Sequence, residues 1–155
     1  MKLTFKLNGE EVECETKENK TLLDLLRMDF GVTSVKKGCE NGECGACTVL
    51  LDGSTVTSCL VLAPQIEGKS VTTIDGLVDD PLMERLRQAF IENGAIQCGF
   101  CTPGMLISSY ALIRDNQKPT AEQVKTAIEG NICRCTGYVQ IIKAIMDATQ
   151  RITAQ

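Results

Sequence analysis

The 155-residue chain has no histidine and no tryptophan, and aromatic residues make up only 4% of it. Without histidine there is no mixed cysteine–histidine zinc site, no Rieske-type ligation, no histidine-based hydrolase centre and no histidine proton relay. With so little bulky side-chain volume, packing alone supplies a limited core, and a bound metal centre could add stability that packing lacks. A basic excess is also missing. The formal net charge is −4 and the isoelectric point about 4.9, which excludes the usual phosphate-neutralising nucleic-acid binder. The acidic excess sits in residues 1–76, either as solvated surface or as a docking face for a partner. No run reaches the roughly 18 uninterrupted apolar residues of a membrane span. The opening MKLTFKLNGEE has no apolar core of a secretory signal. These absences predict a cytoplasmic protein that engages neither membrane nor nucleic acid.

What the chain does have is cysteine, nine in all. A secreted disulfide scaffold is usually shorter and carries an even count, whereas clustered cysteines in a reducing compartment more often bind metal. Residues 36–59 read KKGCENGECGACTVLLDGSTVTSC. The spacing Cys39-x4-Cys44-x2-Cys47, followed by Cys59, matches the plant-type ferredoxin arrangement, in which four thiolates hold a [2Fe–2S] cluster. Gly38, Gly42 and Gly45 suit a loop that must wrap closely around an inorganic core.

Around this loop the sequence predicts a small α+β unit. Leu3, Phe5 and Leu7 alternate with polar residues as in a half-buried strand, Asn8-Gly9 forms a hairpin turn, and residues 11–15 return. Cys14 lies in that return strand with no companion and reads as a free structural thiol. Thr21 caps a helix with Leu22, Leu23, Leu25 and Leu26 on its apolar face, and Gly31 ends it. Residues 48–51, an Asp52-Gly53 turn and residues 55–57 form a second hairpin, and residues 71–74 a further strand. This is the element pattern of a β-grasp domain.

The texture changes near residue 76. Asp80 as cap and Pro81 open a helix with Leu82, Leu86, Phe90 and Ile91 on one side, ended by Asn93-Gly94. Thr102 and Pro103 open another as cap and first helical residue, with Gly104 allowing close approach; it runs to about Asp115, with Met105, Leu106, Ala111, Leu112 and Ile113 as core candidates. Thr120 and Gln123 form a capping box for a third, closing at Gly130. The last runs from about Tyr138 to Ile152, with Val139, Ile142, Ile145 and Met146 at helical spacing. The expectation is two domains, residues 1–76 and 77–155, the second an all-helical four-helix bundle.

Four more cysteines fall at helix junctions of this half: Cys98 and Cys101 in GAIQCGFCTPG, and Cys133 and Cys135 in GNICRCTGY. A bundle can bring two such junctions together so that four thiolates converge. A Cys-x2-Cys pair and a Cys-x-Cys pair are unlike the repeated knuckles of a zinc ribbon, although a four-thiolate zinc site or unliganded core cysteines remain the alternatives. Thioredoxin-like chemistry lacks the βαβ context it needs.

The motifs GCENGECGACTV…SC and QCGFCTPGM…GNICRCTGY, in this order over essentially the whole chain, closely resemble the small iron–sulfur subunit of the molybdenum hydroxylases, the xanthine dehydrogenase and aldehyde oxidase family. The resemblance implies a β-grasp, plant-type ferredoxin-like domain followed by a helical domain. It implies two [2Fe–2S] clusters, one on Cys39, Cys44, Cys47 and Cys59, the other on Cys98, Cys101, Cys133 and Cys135. It also implies a large partner subunit with a molybdopterin cofactor and a medium subunit with FAD, in a heterotrimer or a dimer of heterotrimers. Because the chain stops at Gln155, these modules are expected on separate polypeptides. By the same resemblance the second cluster lies beside the pterin, approached by Gln97 and Cys135, and the first beside the flavin. No catalytic residue is expected in this chain. On its residues alone, Gln97 is an ordinary loop glutamine, Arg134 either screens a reduced cluster or faces solvent, and Lys36 and Lys37 either steer a partner or are a solvated pair. The rival functions are a free-standing two-cluster ferredoxin or redox sensor, and a zinc-stabilised interaction module.

Overall fold

The computed structural model describes residues 1–153. Strands β1 (Lys2–Leu7), β2 (Glu10–Glu15), β3 (Thr48–Leu51), β4 (Ser54–Thr57) and β5 (Ser70–Thr72) form one sheet in the order β2-β1-β5-β3-β4. β1 and β2 are joined through Asn8 and Gly9, both at positive φ, and pair antiparallel from Lys2 opposite Glu15 to Leu7 opposite Glu10. β5 knits the two hairpins together, parallel to β1 and antiparallel to β3. The helix capped by Thr21, whose hydroxyl accepts from Asp24 N at 3.1 Å, begins as one α turn, α1 (Leu22–Asp24). It then widens into a π turn over Leu25–Asp29, with Phe30 N donating to Leu25 O. The sequence foretold a plain helix. The wider turn still places Leu22, Leu23, Leu25 and Leu26 fully inside, against Leu3, Phe5, Val49 and Val71, each buried side chain contributing about 1.5–3 kcal/mol. Phe30 meets Phe5 edge to face at a centroid distance of 5.5 Å.

The second half holds α2 (Pro81–Glu92), α3 (Thr102–Asp115), α4 (Ala121–Ile128) and α5 (Val139–Thr153). Asp80 caps α2 by accepting from Leu82 N and Met83 N, and its other oxygen accepts from Tyr110 Oη of α3 at 2.9 Å. The junction between the halves is therefore tied down. The capping box of α4 forms with both of its bonds. The core gathers Met83, Leu86, Phe90, Met105, Ile107, Ile113, Val124, Ile141 and Ile145.

Three expectations are corrected here. Ile91 is 64% exposed and Val139 71% exposed; the true stripes run through Met83, Leu86 and Phe90 on α2, and through Ile141, Ala144, Ile145 and Ala148 on α5, because the helical period carries neither outlier to the inner face. The N-cap of α3 is Cys101, which places Thr102 and Pro103 inside the helix. Ser108 and Ser109 of α3 are buried as well.

The halves share a seam. Leu50 of β3 packs into the helical core, and Arg114 at the end of α3 donates to Gly53 O in the β3–β4 turn at 2.8 Å. Among the described residues no helix is long and apolar enough to cross a membrane.

Candidate metal centres

The first cysteine loop turns through residues at positive φ, Glu40, Gly42 and Gly45, and so folds its own amides inward. Cys39 Sγ accepts from the N–H groups of Asn41 (3.5 Å), Glu43 (3.3 Å) and Cys44 (3.3 Å), while Cys39 N donates to Cys44 Sγ at 3.4 Å. These amides, that of Asn41 first, hold the Cys39 thiol down at about 7; donors aimed at sulfur favour the thiolate. A Cβ on Gly38 would lie 2.7 Å from Cys44 Sγ, so the loop closes on its sulfur only with glycine there. Cys47 and Cys59 are buried and face each other. Burial, and then the Cys47 sulfur, push Cys59 up to about 11. Ser58 fixes this inner pair, its hydroxyl donating to Cys47 O at 2.8 Å. Lys37 bridges Asp24 and Glu40, each at 3.0 Å, and Lys36 Nζ donates to Thr33 O at 2.9 Å, so neither is a freely solvated charge.

The second set is assembled by tertiary packing. The α2–α3 junction brings Cys98 and Cys101, and the α4–α5 junction brings Cys133 and Cys135. Cys98 Sγ and Cys135 Sγ stand 3.6 Å apart, both exposed. Cys101 faces buried Cys133; burial and then that neighbouring sulfur push Cys101 up to about 12. At Cys133 burial is the largest influence and pushes upward, yet donors led by the Thr136 hydroxyl (3.1 Å) and N–H (3.4 Å), with Cys135 N–H and the Cys101 thiol behind them, outweigh it together and leave the thiol low. Cys133 N donates to Tyr138 Oη at 3.0 Å, and Tyr138 itself sits at φ 71. That conformation costs a bulky residue about 1–3 kcal/mol, offset by the bonds that hold the turn around Cys133.

Both sets thus present sulfur in twos: Cys39 with Cys44 and Cys47 with Cys59, Cys98 with Cys135 and Cys101 with Cys133. Two thiolates for each of two irons is the requirement of a [2Fe–2S] core, and backbone donors to sulfur suit anionic ligands. A structural zinc would instead need all four thiolates around one point.

A cleft of about 250 Å³ connects the two sets, lined by Cys39, Cys44, Cys98, Phe100, Cys133 and Arg134. Arg134 is exposed on its wall. Gln97 is exposed, and its amide donates to Cys135 O at 3.2 Å. Phe100 and Ile132, both exposed, line this cleft, and Ile96 and Val139 are exposed as well. Cys14 stands apart from both sets, packed against the sheet core, with burial pushing its thiol upward. The sequence reading missed Thr136, Tyr138 and Asn131. Their only signal was position, a threonine, a tyrosine and an asparagine interleaved with the second Cys-x-Cys pair.

Residues 5–73 match the 2Fe-2S iron-sulfur cluster binding domain family, and residues 73–146 the [2Fe-2S] binding domain family. The chain is 49% identical over 149 residues to the nicotinate dehydrogenase small FeS subunit of Eubacterium barkeri, covering 96% of this chain and 95% of that one. It is 41% identical over 143 residues to the xanthine dehydrogenase iron-sulfur-binding subunit of Escherichia coli O157:H7, covering 91% and 89%. Among solved structures, quinoline 2-oxidoreductase from Pseudomonas putida 86 superposes with a TM-score of 0.92 at 38% identity, over 99% of this chain and 96% of that one.

Proposed function

Because the chain belongs to the small iron–sulfur subunits of the molybdenum hydroxylase family, and is as such an electron-transfer subunit of an oxidoreductase with two [2Fe–2S] clusters, we propose a specific route and ligand set. Single electrons pass between the molybdopterin centre of a large subunit and the FAD of a medium subunit. Cys39, Cys44, Cys47 and Cys59 hold one cluster, and Cys98, Cys101, Cys133 and Cys135 the other. The supporting observation is the two-by-two meeting of sulfurs in both sets, open to one shared cleft. When bound, each cluster takes up and releases one electron at a time.

The chain's own residues contribute placement and charge. Amides of the first loop, and Thr136 in the second set, stabilise the thiolate form of the ligands. The exposed Cys98–Cys135 pair, with Gln97 beside it and exposed Phe100 and Ile132 lining the same cleft, is the face we assign to the pterin-bearing subunit. An exposed apolar patch of this kind marks an interaction surface, which favours a fixed complex over a free ferredoxin. The division into residues 1–76 and 77–155 is supported by the two hydrophobic cores; the last two residues of the second unit, Ala154 and Gln155, lie outside the described residues. Nine cysteines, none of them joined in a disulfide, support a reducing, cytoplasmic setting. Relatives named for nicotinate, xanthine and quinoline share this small-subunit architecture, so we place substrate choice in the large subunit.

Purification of the assembled complex tests this reading. Red-brown protein with two EPR-distinguishable [2Fe–2S] signals, molybdenum and FAD is the expected result. A colourless, zinc-containing protein, or a lone monomer with no molybdenum partner, overturns it.

A further inference from the structure

The two cysteine sets meet through bare backbone. Ile132 N, adjacent to Cys133, donates to Cys44 O at 2.9 Å. A Cβ on Gly45 would lie 2.2 Å from Gly130 O, and one on Gly104, in the first turn of α3, 2.3 Å from Gly45 O. Into this contact the side chain of Asn131 is inserted. Asn131 is 4% exposed; its Nδ2 donates to Gly45 O at 3.1 Å and its Oδ1 accepts from the hydroxyl of buried Ser108 at 2.7 Å. Gly45 O also accepts from Thr48 N and Thr48 Oγ1. The amide therefore ties three elements into one network: the first cysteine loop, the α4–α5 junction and α3.

We propose that Asn131 is a positioning residue for electron transfer, its side-chain amide setting the separation and orientation of the two cluster loops. This deepens the assignment of the eight cysteines as ligands and rests on it. The bonds of Asn131 run to Gly45 O and to Ser108, so it acts on spacing and not on ligation. A buried amide with both ends satisfied fixes one geometry, because any shift leaves a buried donor or acceptor unmet.

The test uses the assembled complex carrying Asn131→Asp. The carboxylate has the same size and still accepts from Ser108, but it faces Gly45 O without a donor and pushes the loops apart. Ser108→Ala is the milder companion, freeing Oδ1 while leaving the packing nearly intact. Both are read by the spin–spin splitting between the two reduced clusters and by the rate at which the first-loop cluster is reduced after substrate is added. The expected result is two single-cluster signals of normal intensity, with a narrowed or lost splitting and slower inter-cluster transfer, larger for Asn131→Asp than for Ser108→Ala. A merely stabilising role would lower the melting temperature and leave the splitting unchanged. Wild-type splitting and transfer rate in Asn131→Asp, or loss of a cluster outright in Ser108→Ala, overturns the proposal. Failure of the wild-type complex to show two clusters instead removes the ligand assignment beneath it.

Discussion

The two cysteine sites solve one problem by opposite routes. The first is local: Cys39, Cys44 and Cys47 lie in one loop whose own amides turn back onto the Cys39 sulfur, with Cys59 added from the next hairpin. The second exists only after packing, because its pairs come from two helix junctions separated by α3 and α4. Each has an inner, more buried pair, Cys47–Cys59 and Cys101–Cys133, and an outer pair; only in the second are both outer cysteines exposed. A local loop can be preformed by its backbone, whereas a packed site depends on the stability of the helices that carry it.

The largest effect separating the two is ligand loss. Cys44→Ser and Cys101→Ser should each remove one of the two EPR signals and stop turnover of the complex. The routes differ in how far the damage spreads. Hydrogen exchange should lose protection around residues 38–47 and at Ile132 N, which donates to Cys44 O, in Cys44→Ser, but across both helix junctions, residues 96–104 and 130–138, in Cys101→Ser, since Cys101 caps α3 and borders the helical core. Equal and local loss in both variants would erase the distinction.

A smaller effect tests the seam. Gly45→Ala puts a Cβ 2.2 Å from the Gly130 carbonyl on backbone at φ 69, and Gly104→Ala puts one 2.3 Å from Gly45 O. Each should cost about 2–4 kcal/mol, the range of overpacking with added backbone strain. Gly9→Ala has a positive φ and nothing within 4 Å, and should cost only about 1–2 kcal/mol. Thermal unfolding of the loaded chain gives the ranking; a Gly9→Ala cost equal to that of Gly45→Ala would mean that the seam contact is not tight.

The same contrast explains what could be read in the sequence. The first cysteine set was legible because a loop writes its cysteines side by side, and the hairpin turns at Asn8-Gly9 and Asp52-Gly53 announce themselves in two residues. Helix starts were legible at Asp80 and Thr120 for the same reason, since a cap is a local bond. The inward faces of α2 and α5 were read less well, with Ile91 and Val139 set inside, because side-chain burial is decided by a neighbouring helix that the sequence pattern does not place. The π turn over Leu25–Asp29 carried no local signal. Asn131 is the extreme case: its partners, Gly45 and Ser108, are distant in sequence, and an asparagine after a glycine looks like an ordinary loop residue until the two loops are seen in contact.

The smallest predicted effect concerns how each half closes its edge. The sheet half closes through the β1–β2 pairing; the helical half closes α2 on α5 through Asp147, which accepts from Arg151 Nη2 at 2.8 Å and from Asn93 Nδ2 at 2.9 Å, while Arg151 also reaches Glu92. Arg151 first, and Asn93 second, hold the Asp147 carboxyl below its ordinary range. A carboxylate whose folded pKa is depressed contributes stability above its unfolded pKa, and loses that contribution as pH falls through the folded value. Asp147→Asn should therefore lower the melting temperature slightly at pH 7, and the gap from wild type should close as pH drops below about 4, the ordinary aspartate value. Comparing the two proteins at each pH cancels the acid lability that both share in their metal centres. Screening by 1 M salt should shrink the gap at pH 7, as it does for a surface pair. A gap unchanged by both acid and salt would show that the helical edge is closed by the apolar contacts of Phe90 and Ile145.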